Sequence, residues 1–125
     1  AYDIVFDTPS RRAAGKFSFR LWIGDTTPPP LRLLTHTVRL GGFLQVSVTD
    51  AGSGVDPGSL RATLDGEDVG VRFARGRARV STLLLGTGRH RLVFRASDYQ
   101  EAKNMENSGP ILPNTRQLNA TFTVR

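Results

Sequence analysis

The sequence predicts an all-β fold, a sandwich of two antiparallel sheets built from about seven short strands and preceded by an N-terminal β-hairpin. Two observations carry the prediction. Apolar and polar residues alternate with a period of two through most of the chain, and turn-forming residues interrupt the alternation roughly every 8 to 12 positions. A third supports it by exclusion, because no segment keeps a helical apolar period over several turns.

The first unit spans residues 1–27. Tyr2, Ile4 and Phe6 alternate with polar neighbours, and Phe17, Phe19, Leu21 and Ile23 alternate with Lys16, Ser18, Arg20 and Trp22. The polar run from Thr8 to Gly15 joins them, so the pair reads as a hairpin. A lone hairpin is marginally stable in water, and its apolar face therefore needs a partner. The expected partner is a preceding domain of a longer polypeptide, the main body, or a second chain paired strand to strand. Pro28, Pro29 and Pro30 follow Thr26 and Thr27; they remove three backbone donors and favour a stiff, extended joint. The domain boundary is placed there, with the sandwich at residues 28–125.

Beyond the joint, Leu31, Leu33 and Leu34 open a first strand, and Leu44, Val46 and Val48 face inward in the next. Leu60, Ala62 and Leu64 repeat the pattern up to Asp65-Gly66, a dipeptide suited to a tight primed turn. Val69, Val71 and Phe73 run on to a turn at Arg75-Gly76, from which Ala78 and Val80 return. His90, Leu92, Phe94 and Ala96 form the next inward set, and Leu118, Ala120, Phe122 and Val124 the last. The connection from Tyr99 to Arg116 is far longer than a hairpin needs, and loops of that length usually have a purpose of their own.

Composition narrows the functional classes. The chain has 125 residues and no cysteine, which excludes disulfides and thiolate chemistry. No stretch has the layout of a signal peptide or the length of an apolar membrane span. Seventeen basic residues against eleven acidic ones give a net charge of +6, nearly all of it from arginine. Such a balance favours polyanions, although arginine-rich, lysine-poor usage also follows from GC-rich coding. Arg72, Arg77, Arg79, Arg91 and Arg95 all take outward parity, but Arg77 and Arg79 are assigned to one sheet and Arg91 and Arg95 to the other. Nucleic acid is not expected as a partner, because few aromatics besides Trp22 and Tyr99 are placed to stack on bases.

No catalytic residue is assigned. The only bases for a serine triad are His36 and His90, and no Gly-x-Ser-x-Gly elbow is present. Calcium has better ingredients: Asp25 at the joint, Asp50 and Asp56 in one turn, and Asp98, Glu101 and Asn104 near a strand end. The Asp-x-Asp-x-Asp spacing of a dedicated loop is missing, and Asp50 and Asp98 are assigned instead to organising their turns through backbone hydrogen bonds. No metal ligand and no cofactor is therefore assigned.

The run Asp25-Thr26-Thr27-Pro28-Pro29, the turn Thr49-Asp50-Ala51-Gly52-Ser53-Gly54-Val55-Asp56, the hairpin Leu64-Asp65-Gly66, and the strand from Gly88-Arg89-His90-Arg91-Leu92 to Asp98 together resemble bacterial immunoglobulin-like modules. The resemblance covers about Pro28 to Arg125. It departs after Asp98, where such modules often have a brief Asp-x-x-Gly-Asn turn and this chain reads Tyr99-Gln100-Glu101-Ala102-Lys103-Asn104. It implies a non-catalytic accessory or spacer module of a larger secreted or cell-surface bacterial protein, working outside the cell beside an upstream domain. The alternative is a binding module for an extracellular glycan or other polymer, using Trp22 and the 99–116 loop.

Overall fold

In the computed structural model, the described residues are 24–102 and 114–125, together with Ser10, Arg12, Gly15 and Leu21. Both strands of the hairpin expected within residues 1–27 lie outside them but for Leu21, and Trp22 lies outside them, as do Lys103, Asn104, Glu106, Asn107, Pro110 and Pro113 of the long connection.

Nine strands among the described residues fall into two sheets. They are β1 (Leu31–Leu33), β2 (Thr37–Val38), β3 (Phe43–Val48), β4 (Arg61–Leu64), β5 (Glu67–Val69), β6 (Val71–Ala74), β7 (Arg77–Ser81), β8 (Gly88–Ser97) and β9 (Thr115–Val124). The four-stranded sheet has the order β1-β3-β7-β6 and the five-stranded sheet the order β2-β9-β8-β4-β5. Every pairing is antiparallel except that of β2 with β9. A 3₁₀ turn at Pro57–Ser59 and one helical turn at Tyr99–Ala102 complete the described elements.

The core follows directly from the alternation. Leu44, Val46 and Val48 from β3 and Ala78 and Val80 from β7 meet Ala62, Leu64, Leu92, Phe94, Ala96, Phe122 and Val124 of the other sheet, all buried. Side chains at i and i+2 share a face of a strand, so each inward set lines one wall of a single apolar layer. Val69, Val71 and Phe73 pack on its margin.

Two turns fix the register. Asp65 and Gly66 have φ of 51° and 97°, and Arg75 and Gly76 have φ of 50° and 73°. Positive φ at both central positions makes a two-residue turn whose twist matches that of its strands. Leu64 accordingly faces Glu67, and Ala74 faces Arg77.

The count exceeds the expected seven for two local reasons. Val69, Val71 and Phe73 do not form one continuous strand: the chain passes at Gly70 from β5, at the edge of one sheet, to β6, at the edge of the other. The two-residue β2 adds a parallel pairing beside β9 that alternation over so short a span cannot signal.

Candidate functional site

The best-defined polar cluster lies where the entry segment meets the sandwich. Asp50 ends the run leaving β3 and turns the chain, its Oδ2 accepting the Gly54 N–H. Gly54 takes φ of 87°, which a residue with a side chain rarely adopts. Asp25 then reaches across: its Oδ2 accepts the Ser53 N–H at 2.6 Å, while its Oδ1 accepts the Thr27 N–H at 3.1 Å. The turn comes so close that a Cβ on Gly52 would lie no more than 2.7 Å from any of the three carboxyl heavy atoms of Asp25. Only glycine leaves room for that carboxylate.

A third carboxyl comes from the end of β8. Asp98 is wholly buried, its N–H donates to the Asn114 carbonyl at 3.2 Å, and it bridges to Val55. Tyr99 N–H donates to Gly54 O at 3.0 Å, and Gln100 N–H to Ser53 Oγ at 3.2 Å. Asn114, also buried, donates from Nδ2 to the Asp25 carbonyl at 2.7 Å. One carboxyl oxygen from each of Asp25, Asp50 and Asp98 lies within 4.8 Å of the others.

These contacts hold the Asp25 pKa below its ordinary 3.8. The Ser53 amide has the largest effect, then the Thr27 amide; burial opposes them, and the Ser53 hydroxyl and Asp98 carboxyl add smaller lowering effects. The ionised carboxylate is thus the form the fold prefers.

Of the oxygen-bearing residues picked out in the sequence, three converge. Asp56 goes elsewhere: its Oδ1 accepts the Gly58 N–H at 2.9 Å and starts the 3₁₀ turn. The side chain of Glu101 and all of Asn104 lie outside the described residues. The turn-organising role expected of Asp50 is what its contact with Gly54 provides. Sequence reasoning missed Ser53, Asn114 and the steric role of Gly52. Asn114 stands 89 residues from Asp25 at the end of the long connection, so no local pattern could pair them.

At the opposite end of β8, both nitrogens of His90 are engaged. Nδ1 lies 2.7 Å from Asp65 Oδ2 and Nε2 2.9 Å from the Gly86 carbonyl. Both partners are acceptors, so the doubly protonated ring suits the site, and the His90 pKa is raised, chiefly by the hydrogen bond to Asp65. Asp65 is lowered, first by the Arg91 amide and then by His90. No nitrogen of His90 is left to take a proton from a nucleophile.

Arg77 and Arg79 do fall on the four-stranded sheet, and Arg91 and Arg95 on the five-stranded one. None of the described helices is long and apolar enough to cross a membrane. No family model and no curated protein matches the chain.

Proposed function

We propose that this domain is an immunoglobulin-like, non-catalytic accessory module of a larger secreted or surface-attached bacterial protein, and that it holds a neighbouring domain at a set angle. The observation that carries the reading is the fastened entry segment. Asp25 is tied to the turn through Ser53 and to the far connection through Asn114, and Pro29 is buried against the body. A segment held at both faces passes orientation on to whatever precedes it, whereas a free linker would not.

The immunoglobulin-like assignment draws on strand order. Lettered in chain order, with β2 as A′ and β5 as C′, the sheets read A-B-E-D and A′-G-F-C-C′, the division found in immunoglobulin sandwiches with an added edge strand. The Asp-x-x-Pro-Pro entry and the Thr49–Asp56 turn point the same way, and the secreted bacterial setting rests on that motif resemblance. The non-catalytic part draws on the missing Gly-x-Ser-x-Gly elbow and on His90, whose two nitrogens are both engaged.

The test places a small reference domain ahead of the chain and measures the distance distribution between a spin label on it and one on β3. The unmodified chain should give a narrow distribution, and the pair Asp25→Ala with Asn114→Ala a broad one. Equally broad distributions in both would reject the orienting role.

A further inference from the structure

The outward face of the four-stranded sheet collects arginines in a way that parity alone does not reveal. Arg77 and Arg79 project from β7, an interior strand, and β6 sets Arg72 directly opposite Arg79. Arg32 of β1 faces Ser47 on the other side, and Arg75 occupies the β6–β7 turn. The remaining outward residues of these strands are Phe43, Gln45, Ser47, Ala74 and Ser81, with no acid among them. The only ion pair among the described residues is His90 with Asp65, so none of these five guanidinium groups meets a carboxylate there.

Like charges directly opposed on neighbouring strands destabilise a sheet. Protecting an open edge would explain a charge on β6, but not two more on interior β7. The other sheet also sets two arginines opposite each other, Arg61 and Arg95, but there Arg61 donates to the carbonyls of Gly58 and Leu60, Arg89 donates to Thr121 Oγ1, and Asp68 of β5 shares the face opposite Thr63. The two outward faces thus differ in their acids, since no carboxylate stands on the strands of the four-stranded one.

We infer that this face, centred on Arg72, Arg77 and Arg79, binds an anionic polysaccharide. Guanidinium forks pair two-pronged with carboxylate or sulfate groups, and a row of them on an open, shallow groove of about 480 Å³ suits successive charges of a linear chain better than one small anion. Gln45, beside Arg77 and Arg79, adds an amide able to meet sugar hydroxyls. Single-stranded nucleic acid is the poorer occupant. It needs aromatic platforms, and of the two rings here Phe73, at the floor of the groove, is packed against the core, while Phe43 is covered by the Arg79 guanidinium, 4.4 Å from its centroid. This surface is separate from the entry clamp and does not depend on the orienting role.

The experiment titrates polygalacturonate, dextran sulfate, neutral dextran and a single-stranded oligonucleotide into the full chain at low salt, where such contacts are least screened. Two variants of equal net charge are compared, R72S/R77S/R79S and R89S/R91S/R95S. Binding of either acidic polymer but not of dextran is expected, weakened about tenfold or more by the first variant and less than about twofold by the second. Carboxylate-only or sulfate-only binding would support the inference and identify the group read. The first variant should melt no lower than the parent, since it relieves the opposed pair, so loss of fold does not confuse the result. Equal weakening by both variants, no binding to either polymer, or tighter binding of a single-stranded oligonucleotide overturns the inference.

Discussion

If the Asp25 carboxylate fits only because residue 52 is glycine, changes at the two positions must fail to add. Asp25→Ala removes the acceptor of the Ser53 and Thr27 amides. Hydrogen bonds to a charged group contribute roughly 1.5 to 3 kcal/mol each, but water reaches this one from one side and the Thr27 contact is exposed. A cost of about 2 kcal/mol is expected, about 10 °C in a domain of this size. Gly52→Ala should cost much the same, because its Cβ displaces the carboxylate from those amides. The double variant should then lose about 2 kcal/mol rather than about 4, a coupling of about 2 kcal/mol. With Asp25 gone, the added methyl meets no carboxylate and restricts only the unfolded chain. Urea unfolding of all four proteins at neutral pH measures the cycle. The pH dependence provides a second check. The folded-state pKa of Asp25 lies below 3.8, so its contribution is complete above that value and is lost as pH falls through the folded pKa. The cost of Asp25→Ala should therefore be steady from about pH 5 to 8 and shrink below about pH 4. Additive losses at neutral pH, or a cost that persists undiminished in acid, would refute the clamp.

Three other outcomes are expected. Leu92→Ala, which empties a fully buried position at the centre of the core, should cost about 3 kcal/mol and lower the melting midpoint by about 15 °C, measured by calorimetry. Gly66→Ala forces a side chain to φ of 97° and should cost about 1 to 2 kcal/mol by urea unfolding, although the space itself is open. His90→Gln should show its largest midpoint deficit in mildly acidic solution. His90 has a raised pKa, so its contribution is complete below 6.5 and lost as pH rises through the folded value; that of Asp65 is complete above 3.8 and lost in stronger acid. A deficit that grows above neutral pH would contradict the pairing.

Much of this architecture was legible because the sandwich is built from side chains two residues apart. The inward sets from Leu44 to Val48 and from Leu92 to Ala96 are buried as alternation requires, and the Asp65-Gly66 and Arg75-Gly76 turns lie where glycine marked them. What stayed hidden depends on a third dimension. Parity assigns Val69 and Val71 to one face but cannot say that the chain changes sheets at Gly70 between them. It likewise shows that Arg72 and Arg79 point outward without showing that they stand opposite each other. At the entry clamp, Asp25, Asp50 and Asp98 were each visible as turn or joint residues, yet their meeting depends on Asn114 and Gly52, which local pattern reads as loop and turn filler.

The short parallel contact of β2 with β9 has a mechanical consequence. Thr123 N–H donates to His36 O, Arg125 N–H to Val38 O and Leu40 N–H to Arg125 O, within 3.0 Å in each case. Tension drawn through the two ends of the domain would slide these neighbouring strands past one another, loading all three links at once instead of peeling them in turn. The seam is only two residues long, but resistance to stretching should concentrate there, sparing the apolar interior until it gives way.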